Sequence, residues 1–386
     1  MSSNTEIRFA VIGCGDIANN AYLPLICEHA ELVATCDSIA ERAHNSKAAW
    51  GAQEAYSEPQ DVLNRNDVDA IVISSAHDTH ADLVIAASQA GKHLLIQKPL
   101  AVGMDEAHAA VSEVRRAGVK AVVEPSPQLR PVYRKAHEIV AQGVIGRPLY
   151  FIAEQAMGPP SYGEFYFRKR GGGPLYGIAI YALAALTHLF GPAKRVIGAG
   201  VKSFPHQDIV LPEIMTQSVS TEGYDQPWSS CPPKEMEVEQ GACDSTFTIL
   251  HFDETFFGCV TSNYVTSHGP TPRGIRIFGT EGTLCIEAET PLSVLRREGT
   301  LRSSPLSVIA TGKSADEFSF DDEDGPEPEI VSRSRNSLLH LIDCIHNDTD
   351  PLPTVEWGRH ICEIIAASEA SAEDGRAREL TTTFNQ

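Results

Sequence analysis

Residues 9–18, which read FAVIGCGDIA, join a short apolar run to a glycine-rich turn. This is the G-x-G-x-x-A fingerprint found where a strand passes into a helix. Gly13 permits the tight turn, and Gly15 lets the backbone approach a pyrophosphate group. The helix that follows would offer its positive dipole end, and the free N–H groups of Asp16 and Ile17, to the phosphates. We therefore predict a dinucleotide-binding turn, with an ordinary strand–turn–helix as the alternative.

A second apolar strand pattern, at 31–37, ends in Asp37, which lies 22 residues after Gly15. An acid at this place accepts hydrogen bonds from the hydroxyls of an adenosine ribose. A carboxylate would also repel a 2′-phosphate, so the sequence favours NAD over NADP. The small hydroxyl of Ser38 could tolerate a phosphate, which leaves NADP open as the alternative cofactor.

The composition argues against several classes of protein. The 386 residues carry a formal net charge of −20, and such a field repels nucleic acid and anionic membranes, so neither is expected as a partner. The nine cysteines form no C-x-x-C pair, which is typical of reduced thiols in a cytoplasmic protein. We expect neither a signal peptide nor a membrane span. The histidines are dispersed, so we expect no metal site.

Strand and helix patterns alternate over the first 125 residues, which predicts a parallel sheet with helices on both faces. The later half contains a series of short strand patterns separated by turns, which predicts a mostly antiparallel sheet. We therefore predict an α/β chain of two domains. The first, at 1–127, is a Rossmann dinucleotide-binding domain. The second, at 128–386, is an α+β domain with a large, open-faced sheet.

Two segments of the second half lack the pattern of a packed core. Residues 202–242 contain five prolines and few periodic apolar residues, and residues 316–329 contain eight acids and no base. Both are predicted to be surface loops. Two amphipathic helix patterns, at 332–346 and 355–374, end the chain.

The predicted strand ends locate a cleft. In open parallel sheets, ligands bind beyond the carboxyl ends of the strands. This rule brings Ser75, His77, Gln97 and Lys98 to one edge of the first sheet. The ammonium of Lys98 could hold a substrate hydroxyl and stabilise a developing alkoxide. The alternative is a solvated lysine that precedes a turn.

Three stretches give the chain a resemblance to the glucose-fructose oxidoreductase / inositol 2-dehydrogenase (Gfo/Idh/MocA) family. They are GCGDIA at 13–18, HADLVIAASQAGKHLLIQKPLA at 80–101 and GGGPLY at 171–176. The resemblance implies that Lys98 is the active-site lysine and that Gln97 replaces the usual glutamate near the nicotinamide ribose. It also implies that His80 is the histidine of the preceding loop and that Ser75, His77 and His80 contact the cofactor. It also implies that the final helices complete the sheet domain or pack back on the first domain.

The same resemblance exposes a gap in the catalytic motif. The family pattern L-x-D-x-G-x-H/Y falls on LYGIAIY at 175–181, where Gly177 stands in place of the aspartate and Tyr181 fills the last position. An ammonium near a phenol favours the phenolate. We therefore predict that Lys98 and Tyr181 together relay the proton of the reacting hydroxyl.

Further candidates surround this motif. The resemblance implies that Arg168 contacts the cofactor and that Arg170 contacts cofactor or substrate; surface charge is the alternative for both. Tyr176, His188 and Trp228 are candidates for substrate binding. Trp228 could stack on a sugar face, whereas a structural histidine is the alternative for His188.

The sequence thus predicts an NAD(P)-dependent oxidoreductase that acts on a secondary hydroxyl or ketone of a sugar, cyclitol or glycoside. The resemblance implies a homodimer or homotetramer that associates through the open face of the second sheet. One alternative is a cofactor-binding sensor or assembly protein without catalysis, because Gly177 leaves the motif incomplete. Another is a sugar dehydratase or glycosidase that uses NAD transiently.

Overall fold

The computed structural model describes residues 6–160, 164–212, 233–266, 273–286, 306–310 and 329–385. The first part of the chain forms a six-stranded sheet in the order β3-β2-β1-β4-β5-β6, and every pair of neighbours is parallel. The strand order reverses between β1 and β4, which creates the crevice where such sheets bind ligands. The strands are β1 (Arg8–Ile12), β2 (Glu31–Cys36), β3 (Glu54–Tyr56), β4 (Ala70–Ile73), β5 (His93–Ile96) and β6 (Ala121–Val123).

Helices cover both faces of this sheet because its central strands are apolar on both sides. All four residues of β4 are buried, and the two faces contribute to separate hydrophobic clusters. The predicted parallel α/β arrangement is confirmed. The helices of this part are α1 (Leu23–His29), α2 (Ala40–Trp50), α3 (Pro59–Leu63), α4 (His80–Gln89) and α5 (Met104–Ala117).

Among the described residues, the second sheet has eight strands in the order β15-β14-β13-β7-β12-β11-β8-β16. Only β7 and β12 run parallel to each other; the other neighbours are antiparallel, so the predicted mostly antiparallel sheet is confirmed. The strands are β7 (Pro148–Ala156), β8 (Arg195–Val201), β11 (Ser245–His251), β12 (Phe257–Asn263), β13 (Arg273–Gly279), β14 (Gly282–Ile286), β15 (Leu306–Ala310) and β16 (Arg378–Glu379).

One face of this sheet is covered and the other is open. The helices α6 (Pro131–Ala141) and α7 (Ile180–Phe190) share the core of the covered face with alternate residues of the strands. On the opposite face, Tyr150, Phe247 and Phe257 are each more than 40% exposed.

The structure corrects the prediction of a continuous loop over 202–242. Strands β9 (His206–Pro212) and β10 (Pro233–Glu239) form an antiparallel hairpin there, and residues 213–232 lie outside the described part. Strands β15 and β16, which extend the two edges of the second sheet, were not predicted from the sequence. The acidic segment at 316–329 lies outside the described residues except for its last residue.

Both of the last two helices pack on the first domain, and the second of them also packs on the second domain. Helix α8 (Glu329–Asn347) places Leu338 and Leu341 in a core cluster of the first sheet. Helix α9 (Val355–Asp374) contributes Val355 to the other cluster of that sheet and Trp357 to the core of the second domain. Among the described helices, none is both long enough and apolar enough to cross a bilayer.

Candidate active site

The glycine-rich turn has the geometry that its sequence predicts. Gly13 has a φ of +97°, and an added Cβ would lie 2.5 Å from the backbone of Ser74 and Ser75, so only glycine fits. Its N–H donates to the Cys36 carbonyl at 2.8 Å. A Cβ on Gly15 would meet no atom within 4 Å. The turn is therefore closed on the side of the sheet and open above Gly15, where a pyrophosphate needs space.

A helical segment begins at Asp16 and includes a π-helical turn, Ala18–Tyr22, before α1. The Asn19 amide donates to the carbonyls of Cys14 at 3.0 Å and Gly15 at 2.9 Å, which fixes the turn. The Asn20 amide donates to the Asp16 carboxyl, yet burial raises the pKa of Asp16 to about 6. Ile17 stands beside it in the first turn of this helix, at the end where phosphates bind.

Asp37 is held at the end of β2 by two backbone donors. Its carboxylate accepts the N–H of Cys14 at 2.8 Å and the N–H of Ile39 at 2.9 Å, and the residue is 8% exposed. A carboxylate has about four acceptor positions, so capacity remains for a ribose diol. Ser38 is exposed next to it. The structure thus links the acid directly to the glycine-rich turn.

The loop after β4 carries Ser75, His77 and His80. The hydroxyls of Ser75 and Thr79 share a hydrogen bond of 2.7 Å. His77 Nδ1 lies 2.7 Å from the Gly171 carbonyl, so it joins this loop to the glycine segment of the second domain. Burial and the charge of Lys98 hold the pKa of His77 well below its usual value, so the ring is neutral and Nδ1–H is the donor.

The structure assigns His80 a different place from the predicted contact with the cofactor. Its ring is fully buried, with Nδ1 2.7 Å from the Pro99 carbonyl and Nε2 3.0 Å from the Ser75 carbonyl. Both ring nitrogens therefore face backbone, and the side chain fixes the loops that carry Ser75 and Lys98.

Lys98 follows β5 and is only 6% exposed. Its ammonium donates to the carbonyls of Gly177 at 3.2 Å and Tyr176 at 3.4 Å. It also lies 5.5 Å from the ring centroids of both Tyr166 and Tyr181, a cation–π distance. The predicted pairing of Lys98 with Tyr181 is thus present in space. Tyr166 was not predicted.

Gln97 precedes this lysine and donates its amide to the hydroxyl of Tyr22. Tyr22 belongs to the π-helical turn that follows the glycines, and it is fully buried. The Gln97 amide is therefore oriented by the helical segment that follows the glycine-rich turn.

Gly177 lies in a second π-helical turn, Leu175–Ala179. A Cβ at this residue would lie 1.4 Å from the hydroxyl oxygen of Tyr264 and 3.3 Å from Tyr166. The volume that a side chain at position 177 would occupy is therefore filled by Tyr264, a residue that the sequence analysis did not select.

Tyr176 and His188 are candidates for substrate binding by sequence, but in the structure neither side chain reaches the cleft. The Tyr176 ring is buried, and its hydroxyl contacts the Val102 carbonyl and Glu369, both at 3.2 Å. His188 stacks on His137 of α6 at 5.1 Å between ring centroids, and burial lowers its pKa to about 4. The first is a core side chain between domains, and the second belongs to a helix–helix contact.

The two arginines also separate. Arg168 lies 3.6 Å from Asp78, next to the loop after β4, and its contact with the cofactor stays a prediction. Arg170 pairs with Glu106 at the amino end of α5, so its guanidinium joins the domains, and its contact with cofactor or substrate also stays a prediction. Trp228 lies outside the described residues.

No three His, Cys, Asp or Glu side chains of the described residues lie close enough together to hold a metal ion.

Comparison with known proteins places the chain in a family. A model described as an oxidoreductase family with an NAD-binding Rossmann fold (GFO_IDH_MocA) matches residues 7–124. A model of the GFO/IDH/MocA C-terminal domain matches residues 133–285.

Relatives match over nearly the whole chain. The scyllo-inositol 2-dehydrogenase (NAD(+)) of Bacillus subtilis (strain 168) is 25% identical over 90% of this chain and 89% of its own length. The D-apiose dehydrogenase of Paraburkholderia graminis is 23% identical over 98% and 92%. A levoglucosan dehydrogenase, solved in complex with NADH and levoglucosan, shares the fold with a TM-score of 0.76 at 19% identity, over 97% of this chain and 99% of that one. The chain thus belongs to the Gfo/Idh/MocA family of oxidoreductases and carries its NAD-binding Rossmann fold.

Proposed function

We propose that this protein transfers a hydride between NAD and a secondary hydroxyl or ketone of a sugar, cyclitol or glycoside. The observation that carries the proposal is the buried ammonium of Lys98, which lies beyond the carboxyl end of β5 and faces the two tyrosine rings of Tyr166 and Tyr181. The relatives named above act on cyclitols and sugars, which supports the same substrate class here.

The residues of the first domain fit a dinucleotide. Gly13 closes the turn, the space above Gly15 admits a pyrophosphate, and Asp37 is positioned for the adenosine ribose. Arg168, beside the loop of Ser75 and His77, lies where a positive charge can meet the phosphates or the nicotinamide half. When bound, NAD accepts the hydride of the substrate.

The residues of this chain would then stabilise the charge that develops on the substrate oxygen and transfer the substrate proton. As the O–H proton of the substrate leaves, negative charge grows on the reacting oxygen, and the Lys98 ammonium binds that oxygen more tightly than it binds the neutral hydroxyl. Such differential binding lowers the barrier. The burial of Lys98 strengthens the effect because the cleft has a lower dielectric constant than water.

The test is single-turnover reduction of NAD by a panel of sugars, cyclitols and glycosides, followed by absorbance. Lys98→Met should slow hydride transfer by about 100- to 1,000-fold, because a charge-assisted donor to the transition state is lost. Lys92→Met is the matched control: its ammonium is equally buried and donates to the carbonyls of Arg65 at 2.6 Å and Val68 at 2.9 Å, away from the cleft.

Lys92→Met should lose stability and keep its rate of hydride transfer. An unchanged rate in folded Lys98→Met would place the chemistry elsewhere, and a wild type that reduces NAD with no member of the panel would favour the non-catalytic alternative.

Three further statements belong to this proposal. The boundary between the domains lies near 127, with both final helices packed on the first domain and the last one on the second as well. The protein acts in the cytoplasm. It has no nucleic acid or membrane partner, and the net charge of −20 supports this second point. It forms a homodimer or homotetramer through the open sheet face, where Tyr150, Phe247 and Phe257 are exposed.

A further inference from the structure

Tyr264 is fixed in place immediately after β12. Its N–H donates to the Asp244 carbonyl at 2.8 Å, and its ring packs in a small cluster with Met157 and Ile178. The side chain is 1% exposed, and the Tyr166 ring meets it edge-on at 6.3 Å. The position of its hydroxyl therefore follows from packing on several sides.

The Tyr264 hydroxyl and the Lys98 ammonium both lie close to the backbone of Gly177. The hydroxyl oxygen is 1.4 Å from the place of a Cβ on Gly177, and the ammonium is 3.2 Å from the Gly177 carbonyl. Standard bond lengths then put the two groups within about 8 Å of each other. Both groups therefore adjoin Gly177, and one oxygen can contact both of them where their separation is about 6 Å or less, the length of two hydrogen bonds.

Oxidation of the substrate alcohol requires a group that can accept a proton near the reacting oxygen. Oxidation of an alcohol releases a proton as well as a hydride, and a protonated lysine has three donors and no acceptor. A phenol can both accept and donate. A nearby ammonium favours the phenolate form.

We propose that Tyr264 is a catalytic residue that exchanges the proton of the reacting oxygen, from the volume that a side chain at position 177 would otherwise fill. In oxidation, the O–H bond of the substrate breaks and its proton forms the O–H bond of Tyr264, which accepts it as the phenolate. The electron pair left on the substrate oxygen forms the carbonyl as the hydride departs to the nicotinamide. In reduction, the phenol returns the proton to the carbonyl oxygen. The inference rests on the proposed function.

The first test is Tyr264→Phe, which keeps the ring and removes only the hydroxyl. Hydride transfer should fall by about 100-fold or more, and its dependence on pH should flatten, while NAD affinity is unchanged. Tyr133→Phe is the control, because that ring lies on α6 beneath Arg130 and outside the cleft. A rate within threefold of wild type in Tyr264→Phe would overturn the inference and leave the proposed function intact.

The second test asks whether Tyr264 fills the volume beside Gly177, and it is read from thermal unfolding rather than from turnover. Gly177→Ala should lower the midpoint of thermal unfolding in the wild-type background and have little effect in the Tyr264→Ala background, where the overlap is removed. Equal losses in both backgrounds would overturn the assignment of that volume to Tyr264.

A third variant covers the case in which Tyr264→Phe does not fold. The double variant Gly177→Asp, Tyr264→Ala places a carboxylate in the same volume and should transfer hydride at least tenfold faster than Tyr264→Ala alone. No gain from the carboxylate would count against proton exchange at this place. A wild type that reduces NAD with no member of the panel overturns both proposals.

Discussion

Glu369 of α9 should make the protein less stable as the pH rises through neutrality. Its carboxyl accepts the Tyr176 hydroxyl at 3.2 Å at the junction of the domains. Burial raises the pKa of Glu369 to about 7 from the ordinary 4.5; the Tyr176 hydrogen bond acts in the opposite direction, and the Glu373 charge adds to the rise. The folded protein therefore holds this proton more tightly than the unfolded chain does.

The sign and size of the effect follow from this difference. Between pH 4.5 and 7 the folded state binds more protons at Glu369 than the unfolded state, so the free energy of unfolding falls as the pH rises through that window. Once both states are ionised, the loss amounts to about 3 kcal/mol. For a chain of this length, such a change corresponds to about 4 °C in the unfolding midpoint.

Glu369→Gln keeps the acceptor for Tyr176 and removes the charge. Its unfolding midpoint should equal that of wild type near pH 5 and exceed it by about 4 °C near pH 8.5, as followed by circular dichroism at constant ionic strength. Glu41→Gln, which removes a carboxylate at an exposed residue of α2 away from the domain junction, is the control. Parallel curves for wild type and Glu369→Gln would refute the reasoning.

Two further expectations concern binding and assembly. Calorimetry should show that wild type binds NAD more tightly than NADP. Asp37→Ala should reduce the ratio of the two affinities, because it removes the charge that repels a 2′-phosphate. Tighter binding of NADP to wild type would contradict this expectation. Phe247→Asp should shift the protein toward the monomer in light scattering, because a charge on the exposed apolar face opposes the burial of that face. A wild type that is already a monomer of 41.8 kDa at micromolar concentration would exclude association through that face.

The parts of the site that the sequence could predict depend on local geometry. Gly13 and Gly15 are constrained by a turn of a few residues, and the turn needs those glycines whatever surrounds it. Lys98 was placed by topology alone, since the end of a parallel strand next to the strand-order reversal must lie at the crevice. Such arguments require the identity of an element and its direction, and hydrophobic patterning gives both.

Side-chain direction within the helices was less accessible. Tyr176 precedes Gly177 inside a π-helical turn, whose extra residue shifts the helical phase, so the ring turns into the core while its carbonyl faces Lys98. His188 shares a face with Tyr181, but seven residues of helix separate them by about 10 Å along the axis. A shared face therefore did not imply a shared site.

The hairpin of β9 and β10 shows how proline content misleads. Prolines suggested a loop over 202–242, yet Pro212 pairs opposite Pro233 at the ends of the two strands. A strand end tolerates a residue without an N–H, because no ladder hydrogen bond is lost beyond it. The penalty attached to proline depends on its position in a strand, and composition alone carries no position.

Tyr264 lay beyond the reach of motif reasoning for a different reason. The motif at 175–181 looks incomplete because one residue type is absent, and the natural response is to search neighbouring residues for a substitute. The space in question is filled by the residue that follows β12, 87 residues away in the sequence, and the packing of β12 against the turn at Leu175–Ala179 brings that residue there. Gly177 and Tyr264 therefore constrain each other: a side chain at 177 cannot coexist with this tyrosine, and without the tyrosine the glycine would leave a void beside Lys98. The glycine is a requirement of the neighbouring phenol, so its presence does not by itself argue that catalysis has been lost.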